Sequence, residues 1–235
     1  MENLMRKLER IAKRVKYRLE RRYRPAIQHK CHVDFVGSDY CGYGICPTAL
    51  SSEPTVYSFG IGEDVSFDLG MIERYHARVY AFDPTSKSIA WVKAQSLPAS
   101  FQWFDYGIGH RDGEATFYPP ENAAHVSYSV LQKQEVQGMG VTLPVKRLNT
   151  ITHTLGHATI DVLKMDIEAS EYDVIPDILN SPEIRIKQIL VEFHHRFPEV
   201  GVEMTQKAID QLNKHGFRLF WVSANGENYA FIHVS

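Results

Sequence analysis

Two short runs hold the side chains best suited to chemistry, LKMDIEASEYDVI around Asp166 and Glu168 and ILVEFHH around Glu192, His194 and His195. Each follows an apolar stretch that reads as a buried strand, so each places polar groups at a strand end. Asp166 and Glu168 are two residues apart and can point to one side of a sheet, as can Glu192 and His194. If the strands are neighbours, about 4.8 Å apart, the four side chains converge. A carboxylate or imidazole there can act as a general base. Alternatively, Asp166, Glu192 and His194 can hold a divalent cation that lowers the pKa of a bound hydroxyl. No spacing matches a dedicated metal motif. Glu168 and Glu171 also suit the start of the following helix.

The second group lies earlier. TVYSFGIGEDVSF carries Gly60 and Gly62 between a β-rich run and an amphipathic one. The dinucleotide fingerprint needs a third glycine where Val65 stands. Glu63 and Asp64 follow the turn, poor neighbours for a pyrophosphate and good ones for an ammonium group. Asp83, in VYAFDPTS, ends the next strand at the position from which an acid accepts ribose hydroxyls, and it also reads as a helix cap.

The elements that must position these groups alternate. Strands are expected at 55–61, 78–83, 101–106, 160–166 and 186–194, with helices at 65–76, 86–95, 148–155, 171–179 and 204–215. GEATFYP and GVTLPVK read as added β-segments, and FRLFWVS with NYAFIHV as a closing hairpin around Asn225-Gly226. Such alternation predicts an α/β fold, a mostly parallel sheet with helices on both faces and ligands beyond the strand ends. The 235 residues suit one such domain, 55–235, preceded by an irregular segment at 25–54. The connection PPENAAHVSYSVLQKQEVQG is long enough to suggest a functional loop, and His125, Ser127, Tyr128 and Ser129 in it suit a polyhydroxylated acceptor.

VYSFGIGEDVSFDL, VYAFDPT, GIGHRDGEATFY, DVLKMDIEASEYDVI and ILVEFHH resemble, in order and spacing, the FkbM family of S-adenosylmethionine-dependent methyltransferases. LKMDIEASE is close to that family's L-K-x-D-x-E-G-x-E signature, with Ala169 in place of the glycine. Ser58 stands where many methyltransferases carry an acid. The resemblance implies a Rossmann-like seven-stranded sheet whose last strand is antiparallel. It implies S-adenosylmethionine as cofactor, with Gly60, Gly62, Glu63 and Asp64 at its methionine end, Asp83 and Pro84 by the ribose, Tyr106 and Gly107 by the adenine, and Asp166 alongside. The expected reaction is O-methylation of a saccharide or other polar metabolite, with Asp166, His194, Glu168 and Glu192 as the catalytic group and His125, Ser127, Ser129 and His195 on the acceptor. N-methylation of a peptide or amine, and a non-catalytic cofactor-binding module, are the alternatives.

Charge is uneven. Residues 1–24 carry ten Lys/Arg against three Glu, while the remainder is acidic and lacks a basic-aromatic stripe, which argues against nucleic acid as a partner. Leu4, Leu8, Ile11 and Val15 share one face of a predicted basic helix. That helix can pack on its own domain, self-associate or lie on an anionic membrane. Cys31, Cys41 and Cys46 match neither a disulfide framework nor a zinc motif, so a reducing, cytoplasmic setting is expected, with peripheral membrane contact through the helix as one option.

Overall fold

The computed structural model describes residues 23–118, 140–197 and 199–234. The first elements among the described residues are an antiparallel ribbon, β1 (Asp34–Val36) and β2 (Tyr43–Ile45), followed by a 3₁₀ turn at Pro47–Ala49. It continues through β3 (Thr55–Phe59), α1 (Ser66–Tyr75), β4 (Arg78–Phe82), α2 (Ser86–Lys93), β5 (Phe101–Phe104), β6 (Gly107–Ile108) and β7 (Gly113–Phe117). After the long connection come β8 (Val141–Lys146), α3 (Leu148–Leu155), β9 (Thr159–Met165), α4 (Glu171–Leu179), β10 (Arg185–Glu192), α5 (Gly201–Lys214), β11 (Phe217–Val222) and β12 (Asn228–His233).

Seven strands make the central sheet in the order β11-β12-β10-β9-β3-β4-β5. β10, β9, β3, β4 and β5 pair parallel, and β12 runs antiparallel between β10 and β11. The expected Rossmann-like architecture with an antiparallel last strand is therefore present. β6, β8 and β7 form a separate three-stranded sheet from the segments read as added β-structure.

Alternation along the strands fills two cores. Tyr57, Phe59, Leu163, Met165, Ile189 and Val191 face α3, α4 and α5, where Ile151, Val174, Ile175, Ile178 and Leu212 meet them. Val56, Ala81, Val162 and Leu190 face the other way, onto Phe67 and Met71 of α1. Burial on both faces explains why these strands read as continuous apolar runs.

The ribbon departs from the irregular segment expected at 25–54. Val36, Tyr43, Ile45 and Cys46 belong to the second core, and β2 lies against β12. The Cys46 peptide bonds the buried Gln188 amide twice, Cys46 N–H donating to Oε1 at 2.9 Å and Nε2 donating to Cys46 O at 3.1 Å. Strands of three residues, DFV and YGI, carry too little alternation to be read from sequence. The basic helix expected at 1–24 and the long loop lie outside the described residues, apart from Tyr23 and Arg24. Among the described residues, no helix is long and apolar enough to cross a membrane.

Candidate active site

The sheet order fixes the order of the strand ends: Asp166 beyond β9, Gly60 beyond β3, Asp83 beyond β4 and Gly107 beyond β5. Gly60 and Gly62 both adopt left-handed backbone, φ +75° and +54°. At Gly60 a side chain is impossible for a second reason, because a Cβ would stand 1.7 Å from the carbonyl oxygen of Asp166. Behind the turn, the buried ammonium of Lys164 donates to Gly60 O at 3.3 Å. Asp68 of α1 is buried on the same side. Burial raises its pKa to about 6, against the opposing pull of Lys164 and the Ser58 hydroxyl. Ser58, where an acid was expected by resemblance, thus serves an acid supplied from α1.

Asp83 is 5% exposed and lines the cleft. Its Oδ1 accepts from Thr85 N–H (2.9 Å) and Thr85 Oγ1 (2.7 Å), and its Oδ2 from Gly62 N–H (3.0 Å). The cap-like role and the ligand-facing role therefore coexist, since a carboxylate has about four acceptor sites. Glu63 pairs with Lys87 at 3.7 Å. Asp64 accepts from Ser66 N–H at 2.7 Å and from Ser38 Oγ at 2.8 Å, so it ties the ribbon tip to the glycine turn while lining the cleft. Burial opposes its charge, but donors from Ser66, Ser38 and Cys41 outweigh it and hold the carboxyl below its ordinary range.

The acids beyond β9 and β10 surround one histidine. His194 is fully buried. Its Nδ1 lies 3.2 Å from Glu171 Oε1, and its Nε2 lies 3.3 Å from Glu168 Oε2, 3.7 Å from Asp166 Oδ1 and 3.9 Å from Glu192 Oε1. Burial disfavours the imidazolium, but the carboxylates of Glu171, Glu168 and Asp166 prevail and raise its pKa to about 10. The four carboxylates therefore favour the charged form of His194, which was expected among the catalytic groups. Burial, then the charges of Glu192 and Glu168, push the Asp166 carboxyl well above the ordinary range, with His194 and Lys164 pulling it back. Backbone strain marks the same place: Glu168 and Ala169 have φ +52° and +78°, a left-handed conformation costly for side-chain-bearing residues.

These groups border a cavity of about 320 Å³ lined by Gly60, Gly62, Asp64, Asp83, Asp166 and Glu168, with apolar walls from Phe59, Phe82, Pro84, Ile108 and Phe117. Gly107 lines it as expected. Tyr106 is placed differently, its ring against Phe82 and Phe104 with Lys146 Nζ 4.1 Å from its centroid. His195, expected at the acceptor, is fully buried beside the rings of Tyr23 and Tyr229 and does not line the cavity. His125, Ser127, Tyr128 and Ser129 lie outside the described residues. Sequence reasoning missed Tyr40 and Cys41, which the ribbon tip brings to the cavity wall. Their only signal was the turn-rich GSDYCGYG.

The donor set fits S-adenosylmethionine. Asp64, Asp166 and Glu168 suit an ammonium-bearing amino-acid end, Asp83 suits a diol, and the apolar walls near Gly107 suit a planar base.

The methyltransferase FkbM domain matches residues 58–219. The probable methyltransferase-like protein 24 of Rattus norvegicus is 26% identical over 189 residues, covering 76% of this chain and 45% of that protein. Its Homo sapiens counterpart is 27% identical over 176 residues, covering 70% and 41%. The chain thus spans less than half the length of these relatives. Among solved structures, the Methanococcus jannaschii fibrillarin pre-rRNA processing protein is 8% identical with a TM-score of 0.46, covering 78% of this chain and 67% of that one. With the family's domain matched across most of the sheet and its strand ends lining one cleft, the chain belongs to the FkbM family of S-adenosylmethionine-dependent methyltransferases.

Proposed function

We propose that the protein methylates a hydroxyl oxygen of a saccharide or other polar metabolite. The observation that carries this reading is the position of Asp166, at the cavity wall one strand from the glycine turn, with its carboxyl held above the ordinary range. A hydroxyl is a poor nucleophile until its proton is removed, and a carboxylate with a raised pKa accepts a proton more readily at neutral pH. When bound, S-adenosylmethionine supplies a methyl group on a sulfonium.

The chain's own residues do the rest. Asp83 accepts hydrogen bonds from a ribose, and Gly62 N–H and Thr85 hold it in place. Asp64 and Glu63 favour the cationic end of the cofactor. Asp166 takes the acceptor's proton at a carboxylate oxygen. His194, with Nε2 3.7 Å from Asp166 Oδ1, sits beside that carboxylate. Tyr40, exposed at the ribbon tip and lining the cavity, offers an aromatic face to the acceptor.

An acidic cavity also suits an amine, which makes N-methylation the second reading. The two separate on Asp166→Asn. A hydroxyl acceptor needs the base and loses turnover by about 10²-fold or more, whereas a neutral amine does not. Mass spectrometry of candidate glycans incubated with protein and isotopically labelled S-adenosylmethionine tests the main reading. One labelled methyl on oxygen supports it, and transfer to nitrogen alone overturns it.

A further inference from the structure

We propose that Asp166, Glu192 and His194 form a divalent-cation site beside the cavity, whose wall Asp166 shares. This rests on the methyl-transfer reading for its purpose, though not for its geometry.

Ligand atoms from the three residues lie within 4.8 Å of one another. They come from the ends of the neighbouring parallel strands β9 and β10, so the backbone already holds them together. Cation–oxygen and cation–nitrogen distances of about 2.0–2.2 Å place coordinating atoms roughly 3 Å apart. The observed 3.7 Å from His194 Nε2 to Asp166 Oδ1 and 3.9 Å to Glu192 Oε1 need only a small side-chain contraction.

The surroundings of His194 are a second, independent pointer. The ring is fully buried, and neither nitrogen makes an aligned hydrogen bond among the described residues, yet Nε2 faces the acids. On its other side Nδ1 lies 3.2 Å from the buried Glu171. A carboxylate behind a ligating histidine is the usual device for fixing ring orientation and tautomer. Glu192 is held in turn by Arg196, 3.0 Å from Oε1, and Arg196 also meets Glu227 at 3.1 Å.

Charge agrees. Five carboxylates, Asp166, Glu168, Glu171, Glu192 and Glu227, gather around three cationic side chains among the described residues, His194, Arg196 and Lys164. A dication offsets the excess, taking the place of the Nε2 proton, which leaves to solvent. Two carboxylates and one imidazole suit Mn²⁺ or Mg²⁺ better than a thiolate-seeking ion. Three protein ligands leave positions open to an acceptor hydroxyl, whose pKa falls on binding.

The test is electron paramagnetic resonance titration of Mn²⁺ alone into the full-length protein, with S-adenosylhomocysteine binding measured separately by calorimetry. Wild type should quench the free-ion signal with one Mn²⁺ per chain. Asp166→Asn and Glu192→Gln should each weaken binding by about tenfold or more. Nitrogen modulation of the bound-ion signal should be present in wild type and absent in His194→Asn. If that buried variant does not fold, the two carboxylate variants decide. An unquenched signal at millimolar Mn²⁺, with S-adenosylhomocysteine still bound, overturns the cation site and spares the methyltransferase reading. Equal binding by wild type and both carboxylate variants also overturns it. Loss of S-adenosylhomocysteine binding alone would sink the methyl-transfer reading and leave the cation result standing.

Discussion

Gly60 lies directly against the carbonyl oxygen of Asp166, so that the glycine turn after β3 and the acid beyond β9 are packed backbone to backbone. Gly60→Ala would press a Cβ to 1.7 Å from that oxygen and force a residue with φ +75° into left-handed backbone. Both strands must move apart. The expected cost is about 3 kcal/mol or more of stability, at the upper end for single substitutions. S-adenosylhomocysteine binding should be lost along with it. A Gly60→Ala protein with wild-type melting temperature and affinity would show that the two strand ends are not coupled.

Asp83 carries two duties, and two variants separate them. Asp83→Ala removes the acceptor for Gly62 N–H and Thr85 as well as any contact to a ribose. Asp83→Asn keeps one acceptor oxygen and its shape but loses the charge. Calorimetry with S-adenosylhomocysteine should show a loss of about 1–3 kcal/mol for the asparagine variant, the scale for hydrogen bonds to a charged group. The alanine variant should lose more and also melt lower. Unchanged affinity in the asparagine variant would remove the carboxylate from the ligand contact.

The buried His194–Glu171 pair makes stability depend on pH in a defined direction. The surrounding carboxylates raise the imidazole pKa from 6.5 to about 10. The stabilisation is therefore complete below pH 6.5 and is lost as pH rises through about 10. Asp68, raised to about 6, works in the same sense but at lower pH. Glu171→Gln removes one counter-charge from a fully buried pair and should cost about 3 kcal/mol near pH 7. Denaturant titrations of both proteins from pH 6.5 to 10 should show that gap narrowing as pH rises. Parallel curves across the range would mean that His194 is not charged in the folded state.

Much of this was legible in the sequence because strand ends punctuate it. Gly60, Gly62, Asp83 and Asp166 were found by their places after apolar runs, and the sheet delivers all four to one cavity. Tyr106 and His195 lie off the cavity wall because a strand end has two faces, and nothing local tells which face a given residue takes. His194 was recognised, but its charge depends on Glu171, which arrives from α4 and read only as a helix start. Tyr40 and Cys41 were invisible because a three-residue ribbon has no period, and its place over the sheet is set by tertiary contacts such as Cys46 with Gln188.

Ala169 is a case where sequence and structure explain each other. The family signature has glycine there, and Ala169 adopts φ +78°, which costs an L-residue about 1–2 kcal/mol. Ala169→Gly removes that strain but gives back backbone entropy of about 0.4–1 kcal/mol. Thermal denaturation should show a net gain of roughly half a kcal/mol. A clear loss would mean that the buried methyl group contributes more than its backbone strain costs.

The ribbon supplies the last prediction. The central sheet begins only at residue 55, so a truncation to Ala49 isolates what the preceding ribbon contributes. The structure shows that a start at Ala49 removes Tyr40 and Cys41 from the cavity wall, and the Cys46 peptide that satisfies the buried Gln188 amide. It also removes Ser38, which donates to Asp64. Unpaired buried polar groups cost about 1–3 kcal/mol each, so this truncation should aggregate or melt far lower. Removing only residues 1–22 deletes none of these groups and should leave S-adenosylhomocysteine affinity intact. Between the two, Ser38→Ala should keep the fold and weaken S-adenosylhomocysteine by about 1 kcal/mol, the net worth of one ordinary hydrogen bond. If the basic segment binds membranes, the full chain should float with anionic vesicles at low salt and the 1–22 deletion should not. A chain beginning at Ala49 that folds and binds S-adenosylhomocysteine normally would show that the ribbon is an ornament on the site and not part of its wall.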